Sequence, residues 1–190
     1  MRLRTNAGRA AGAPGAGSAA VGAALSFGPF PGRTTVFVDV ANRTGTEDGS
    51  RAHPFNTLSE GLAAAKDGSV VGLAQGVYAQ RFPSLTPNHV IDKLRNFALV
   101  GMGPERTIIR GDHSFSLIRV QNGASGRIEL LTIERGGRIA NSEGGGIQAL
   151  GLTAPVSLIV SRVVFRDNQA VNGGAIAAEG RVTLRLVIRR

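Results

Sequence analysis

Apolar residues along this chain come mostly in short runs broken by Gly, Asn and Asp. The first clear run, TTVFVDV at 34–40, alternates and is β-branched, which predicts a strand. A turn-rich stretch, ANRTGTEDGSRAHP, follows it. Then comes the one good helix signal. Thr57 and Glu60 have the S/T-x-x-E spacing of a capping box, Leu58, Leu62 and Ala65 share one face, and Gly68 offers a stop. This predicts a helix of about ten residues with a single apolar stripe, fit to cap something rather than to join a bundle. From Ser69 onward only β-type runs appear: 70–74, 97–101, 106–111, 116–120, 127–133, 146–150, 156–160, 162–165, 175–178 and 181–188. Brief strands with no helices between them predict an all-β protein.

The runs also repeat. Ile118, Ile147 and Ile176 recur at one constant step (147 − 118 = 176 − 147 = 29). Two residues on, at the same-side position of a strand, stand Val120, Ala149 and Ala178. A glycine ends each run: Gly123, Gly151 and Gly180. A second strand then begins, as IELLTI, VSLIV or VTLRLV, and polar residues lead from each copy into a Gly-Gly pair. Such a period, holding several short strands, is that of a β-solenoid whose coils stack like residues into ladders. A β-sandwich is the alternative, but it would not require the Ile ladder to recur at constant spacing. The expected organisation is a leader at 1–33, an N-terminal cap of strand, loop and helix at 34–68, and coils at 69–190. The last strand, RVTLRLVIRR, has nothing after it to cover its edge. The reading is therefore of a solenoid whose C-terminal coils are missing.

Composition narrows the picture. Among 190 residues, 42% are hydrophobic but only 5% aromatic, so the core has to be aliphatic. There are 27 glycines, enough for many corners. With no cysteine, disulfides, thiolate metal sites and a cysteine nucleophile are excluded. His53, His89 and His113 lie far apart, and no metal site is expected from them. The formal charge is +9. The arginines are scattered and not interleaved with aromatics, so no nucleic-acid partner is expected. The leader at 1–33 is rich in Ala and Gly, with Arg2, Arg4 and Arg9 ahead of a weak apolar run. It reads as a low-complexity segment or a feeble secretory signal. No run is long enough for a membrane-spanning helix.

Two stretches carry a resemblance. Phe165-Arg-Asp-Asn168 followed by Gly173-Gly174-Ala175-Ile176 is similar to the paired FxxN and GGAI motifs of polymorphic outer-membrane protein repeats. The preceding copy departs from them, with Ile133-Glu-Arg-Gly136 and then Gly144-Gly145-Gly146-Ile147. The stretch 36–78 resembles the opening of secreted bacterial β-helix proteins of the pectate-lyase-like superfold. There a strand and short helix cap the first coil, though here Asp67-Gly68 is reversed and Gly76-Val77-Tyr78 lacks a proline. Together these likenesses imply a right-handed parallel β-helix, outside the cell or on a bacterial surface. The superfold hosts lyases, hydrolases, tailspikes and adhesins, so it does not assign chemistry.

The nearest candidate chemistry is Glu134-Arg135 and Arg166-Asp167. If Ile133 and Phe165 align, Glu134 stacks on Arg166 and Arg135 on Asp167, as cross-coil ion pairs rather than a poised acid and base. Exposed pairs of this kind contribute about 0–1 kcal/mol each. Asn168 reads as a turn residue or a member of an Asn ladder. The glycines of NGGAI precede a strand, not a helix, so they read as a corner and not as a phosphate loop. The expectation is a binding, adhesive or structural module facing polysaccharide, leaning away from catalysis and needing no cofactor. The alternative is a fragment of a polysaccharide lyase or glycoside hydrolase. Only the lyase reading would bring in Ca2+.

Overall fold

The computed structural model describes residues 32–80, 89–137 and 143–187. The expected leader falls outside them except for Gly32 and Arg33. The described chain forms β1 (Thr35–Val38), α1 (Leu58–Ala64), β2 (Val70–Leu73), β3 (Gly76–Ala79), β4 (His89–Asp92), β5 (Phe97–Val100), β6 (Thr107–Arg110), β7 (Ile118–Gln121), β8 (Ser125–Glu134), β9 (Ile147–Arg166) and β10 (Ile176–Val187). Every pairing between these strands is parallel. The chain is a β-solenoid, as the repeat predicts.

Each coil contributes to three faces. The first stacks β1, β2 and β5, then 125–129 of β8, 156–161 of β9 and 182–187 of β10. The second stacks β3, β6, 132–134 of β8 and 163–166 of β9. The third stacks β4, β7, 147–150 of β9 and 176–179 of β10, giving four rungs. On this third face the spacing is constant: His89, Ile118, Ile147 and Ile176 follow one another at the step of the isoleucine repeat. The other faces vary, as from Val71 to Leu99 to Ile128 to Val160 on the first. Length changes between coils are thus absorbed at the corners flanking the first two faces.

The core is the set of inward ladders. Val71, Leu99, Ile128 and Val160 line the first face, Tyr78, Ile109, Ile133 and Phe165 the second, and Ile118 with Ile147 the third. Burying each aliphatic side chain stabilises by about 1.5–3 kcal/mol, well above the worth of an exposed ion pair. These ladders therefore hold the coils together. Size is compensated along them. The bulky Phe97 is followed in register by Gly126, where an added Cβ would strike the Phe97 ring and carbonyl. Corners recur too: Leu130 (φ 61°) and Arg162 (φ 53°) are left-handed residues at one turn of successive coils.

Three expectations need correction. The helix is shorter than its stop signal implies. Thr57 forms the capping box with Glu60 as expected, but Ala65 is already extended at ψ 143°. The Lys66 N–H donates to Ser69 Oγ (2.9 Å), so the side chain of Ser69 takes a donor that a longer helix would have used. Strands β3 and β4 fall outside the predicted runs, because GVYA and HVID are too short and mixed to stand out. The runs at 146–150, 156–160 and 162–165 are one strand, β9, carried around two corners.

Candidate functional site

The candidate residues gather on the outer side of the second face. Register places Glu134 of β8 between Arg110 of β6 and Arg166 of β9. Arg110 Nε lies 2.5 Å from Glu134 Oε1, and Arg166 Nη2 lies 2.7 Å from Oε2. The Glu134 side chain is only 6% exposed, whereas those of Arg110 and Arg166 are 40% and 55% exposed. Burial pushes the Glu134 carboxyl up, but hydrogen bonds and charge from the two guanidiniums outweigh it and hold the group below its ordinary range. At neutral pH Glu134 is a locked carboxylate. It accepts hydrogen bonds and is not placed to shuttle a proton.

Arg110 carries no sequence signal that pairs it with Glu134. Its separation from Glu134 is shorter than the isoleucine repeat, and only the pairing register brings the two together. A second pair, Glu129 with Arg162 (3.3 Å), is hidden in the sequence because register stacks Glu129 on Ser161 and Arg162 reaches it from the left-handed corner beside Ser161. Ser161 Oγ also donates to Glu129, at 3.2 Å.

Arg135 and Asp167 do not pair. The ladder ends at Glu134 and Arg166, and the next residue of each coil turns left-handed, with φ 59° at Arg135 and 53° at Asp167. Extended alternation stops there, so stacking no longer brings side chains of adjacent coils together. Ion pairs among the described residues include those of Glu134 and Glu129 with arginines. Asn168 is a tie between coils: its Oδ1 accepts from the Gly136 N–H (2.9 Å), and its Nδ2 donates to the Ile133 carbonyl (2.8 Å).

The glycine-rich stretches are corners. Gly144 (φ 65°) and Gly173 (φ 63°) occupy equivalent places before Ile147 and Ile176. A Cβ on either would strike the carbonyl of that isoleucine. Next to them, Gly145 and Gly146 stack against the following coil, where the Gly146 N–H reaches the Gly174 and Ala175 carbonyls at 3.1 Å. The Gly144 and Gly146 amide donors are thus spent on the next coil.

An apolar hollow of about 720 Å³ lies at the β10 end, lined among others by Val163, Phe165, Ile176, Leu184 and Leu186. Its lining mixes inward residues such as Phe165 with exposed Val164 and Leu186, and Arg162 is the charged side chain at its wall. Among the described residues no helix is long and apolar enough to cross a membrane.

No family model matches the chain, and no curated protein does. The solved structure of pectin methylesterase PemA from Erwinia chrysanthemi is similar, with a TM-score of 0.50 and 13% sequence identity over 80% of this chain. That match covers 45% of the esterase, so the chain spans less than half its length. What the likeness shows is the fold: this chain is a parallel β-helix.

Proposed function

We propose that this chain is a binding module for acidic polysaccharide, working outside the cell or at a bacterial surface. The observation that carries the reading is the Arg110–Glu134–Arg166 stack. One carboxylate is buried between two partly exposed guanidiniums, which leaves this stack with a net positive charge on the second face. The formal charge of +9 favours the same ligand class. The surface setting draws on the resemblance of 165–168 and 173–176 to outer-membrane repeats. The test is affinity electrophoresis through gels holding polygalacturonate or a neutral glucan. The expected result is retardation by polygalacturonate alone, weakened by added salt and by the Arg110→Ala/Arg166→Ala double variant. Equal mobility in both gels at low salt would sink the reading.

A second reading is favoured by the likeness to an esterase acting on pectin: the chain belongs to a polysaccharide-acting enzyme. Incubation with methyl-esterified and de-esterified pectin, followed for released methanol and new reducing ends, separates the two. Turnover that survives purification and disappears in Glu134→Gln would replace the binding reading. Turnover that needs added Ca2+ would favour a lyase.

A further inference from the structure

The first rung of the third face breaks the ladder. Ile118, Ile147 and Ile176 stack in register, and the residue stacked beneath Ile118 is His89. It points inward, is 6% exposed, and starts β4 as part of the pattern in which His89 and Ile91 are buried while Val90 and Asp92 are not. Its Nδ1 lies 3.3 Å from Ser59 Oγ on α1. The helix packs on β1, β2 and β4, closing the first coil with Leu58 buried beneath it. An imidazole thus sits at the seam between cap and coil, in a place where aliphatic carbon would pack as well.

We propose that His89 is an acid-sensitive latch, and that its protonation releases α1 from the first coil while the later coils stay folded. Among the described residues the imidazole forms no ion pair that would stabilise a charge. The charged residue of α1, Glu60, is engaged with Thr57 in the capping box. On β4 itself, Asp92 accepts from Asn122 Nδ2. On β7, Arg119 reaches Gln148 and not the core. Burial therefore acts alone on the imidazole and lowers its pKa to about 4. The sign follows. The closed form keeps His89 neutral, the open form takes a proton below about 6.5, and closure is progressively lost as pH falls from there toward 4. Between pH 7 and pH 5 this linkage raises the opening equilibrium roughly 20-fold. A solenoid permits local release, because each coil contacts only its neighbours.

Hydrogen exchange read by mass spectrometry, corrected for intrinsic rates, tests this at the two pH values. The expected result is a loss of protection of roughly that size in 58–64 and 89–92, with 125–134 and 156–166 unchanged. His89→Ile, which completes the isoleucine ladder, should remove the pH dependence while keeping the cap closed. An equal pH response in His89→Ile, or a uniform loss over all coils, would overturn the proposal. Should that variant fail to fold, NMR titration of the unaltered chain decides. The His89 resonance must titrate well below the ordinary imidazole value, and ordinary titration of His89 refutes the latch.

Discussion

At the scale of single residues, two kinds of position govern the coil: those that need a particular size and those that need a particular charge. Gly126 is of the first kind. Gly126→Ala is expected to cost more than about 2 kcal/mol in urea melts, because the new methyl meets backbone as well as ring. Adding Phe97→Leu should recover only part of that loss, since the Phe97 carbonyl stays where it is. Full recovery would mean that the ring alone matters. Glu134 is of the second kind. Glu134→Gln should cost about 1–2 kcal/mol at neutral pH, a modest figure because both arginines are substantially solvated. Its pH dependence has a definite sign. The folded carboxyl titrates below its ordinary value, so its stabilisation is complete above the usual carboxylate range and fades as pH falls through the lowered pKa. Stability curves of the unaltered chain and of Glu134→Gln should therefore converge in acid; a constant gap would contradict the role given to the ion stack.

Between residue and molecule, the elements show what sequence patterns can and cannot reveal. The isoleucines at 118, 147 and 176 announce both coil and register, because an inward ladder demands like residues at a fixed spacing. The capping box announces the start of α1, because its two hydrogen bonds are local. The end of α1 is not legible, since it depends on Ser69 folding back to the Lys66 amide. Nor is β4, whose His89 stands where an isoleucine would have revealed the rung. Within the site, Glu134 and Arg166 can be paired from the alignment of Ile133 with Phe165, but Arg110 cannot. The second face has unequal coil lengths, and only structure supplies its register. Asn168 belongs to this scale as well. Its two hydrogen bonds join the turn after β9 to β8 and to the turn after β8, so Asn168→Ala is expected to cost about 1–3 kcal/mol. Exchange should quicken first at Arg135–Gly137 and Asp167–Gln169. Faster exchange confined to α1 would show that Asn168 does not tie these coils.

For the whole molecule, the ranking of forces makes a prediction about salt. Stability rests on aliphatic ladders, and the ion pairs of Glu129 and Glu134 are minor by comparison. Raising NaCl to roughly 1 M, where the Debye length shrinks to about 3 Å, should leave Tm nearly unchanged while abolishing retardation by polygalacturonate. A steep fall in Tm would show that charge carries more of the fold than the ladders do. The constant register of the third face has an evolutionary side. A face that never changes its count gives recombination a safe seam. Duplicating the segment 147–175 would insert one more storey and raise everything above it by about 4.8 Å, with each new rung meeting neighbours of its own kind. Lengthening such a chain calls for copying and no fresh invention, so the length of the stack could be adjusted in whole coils.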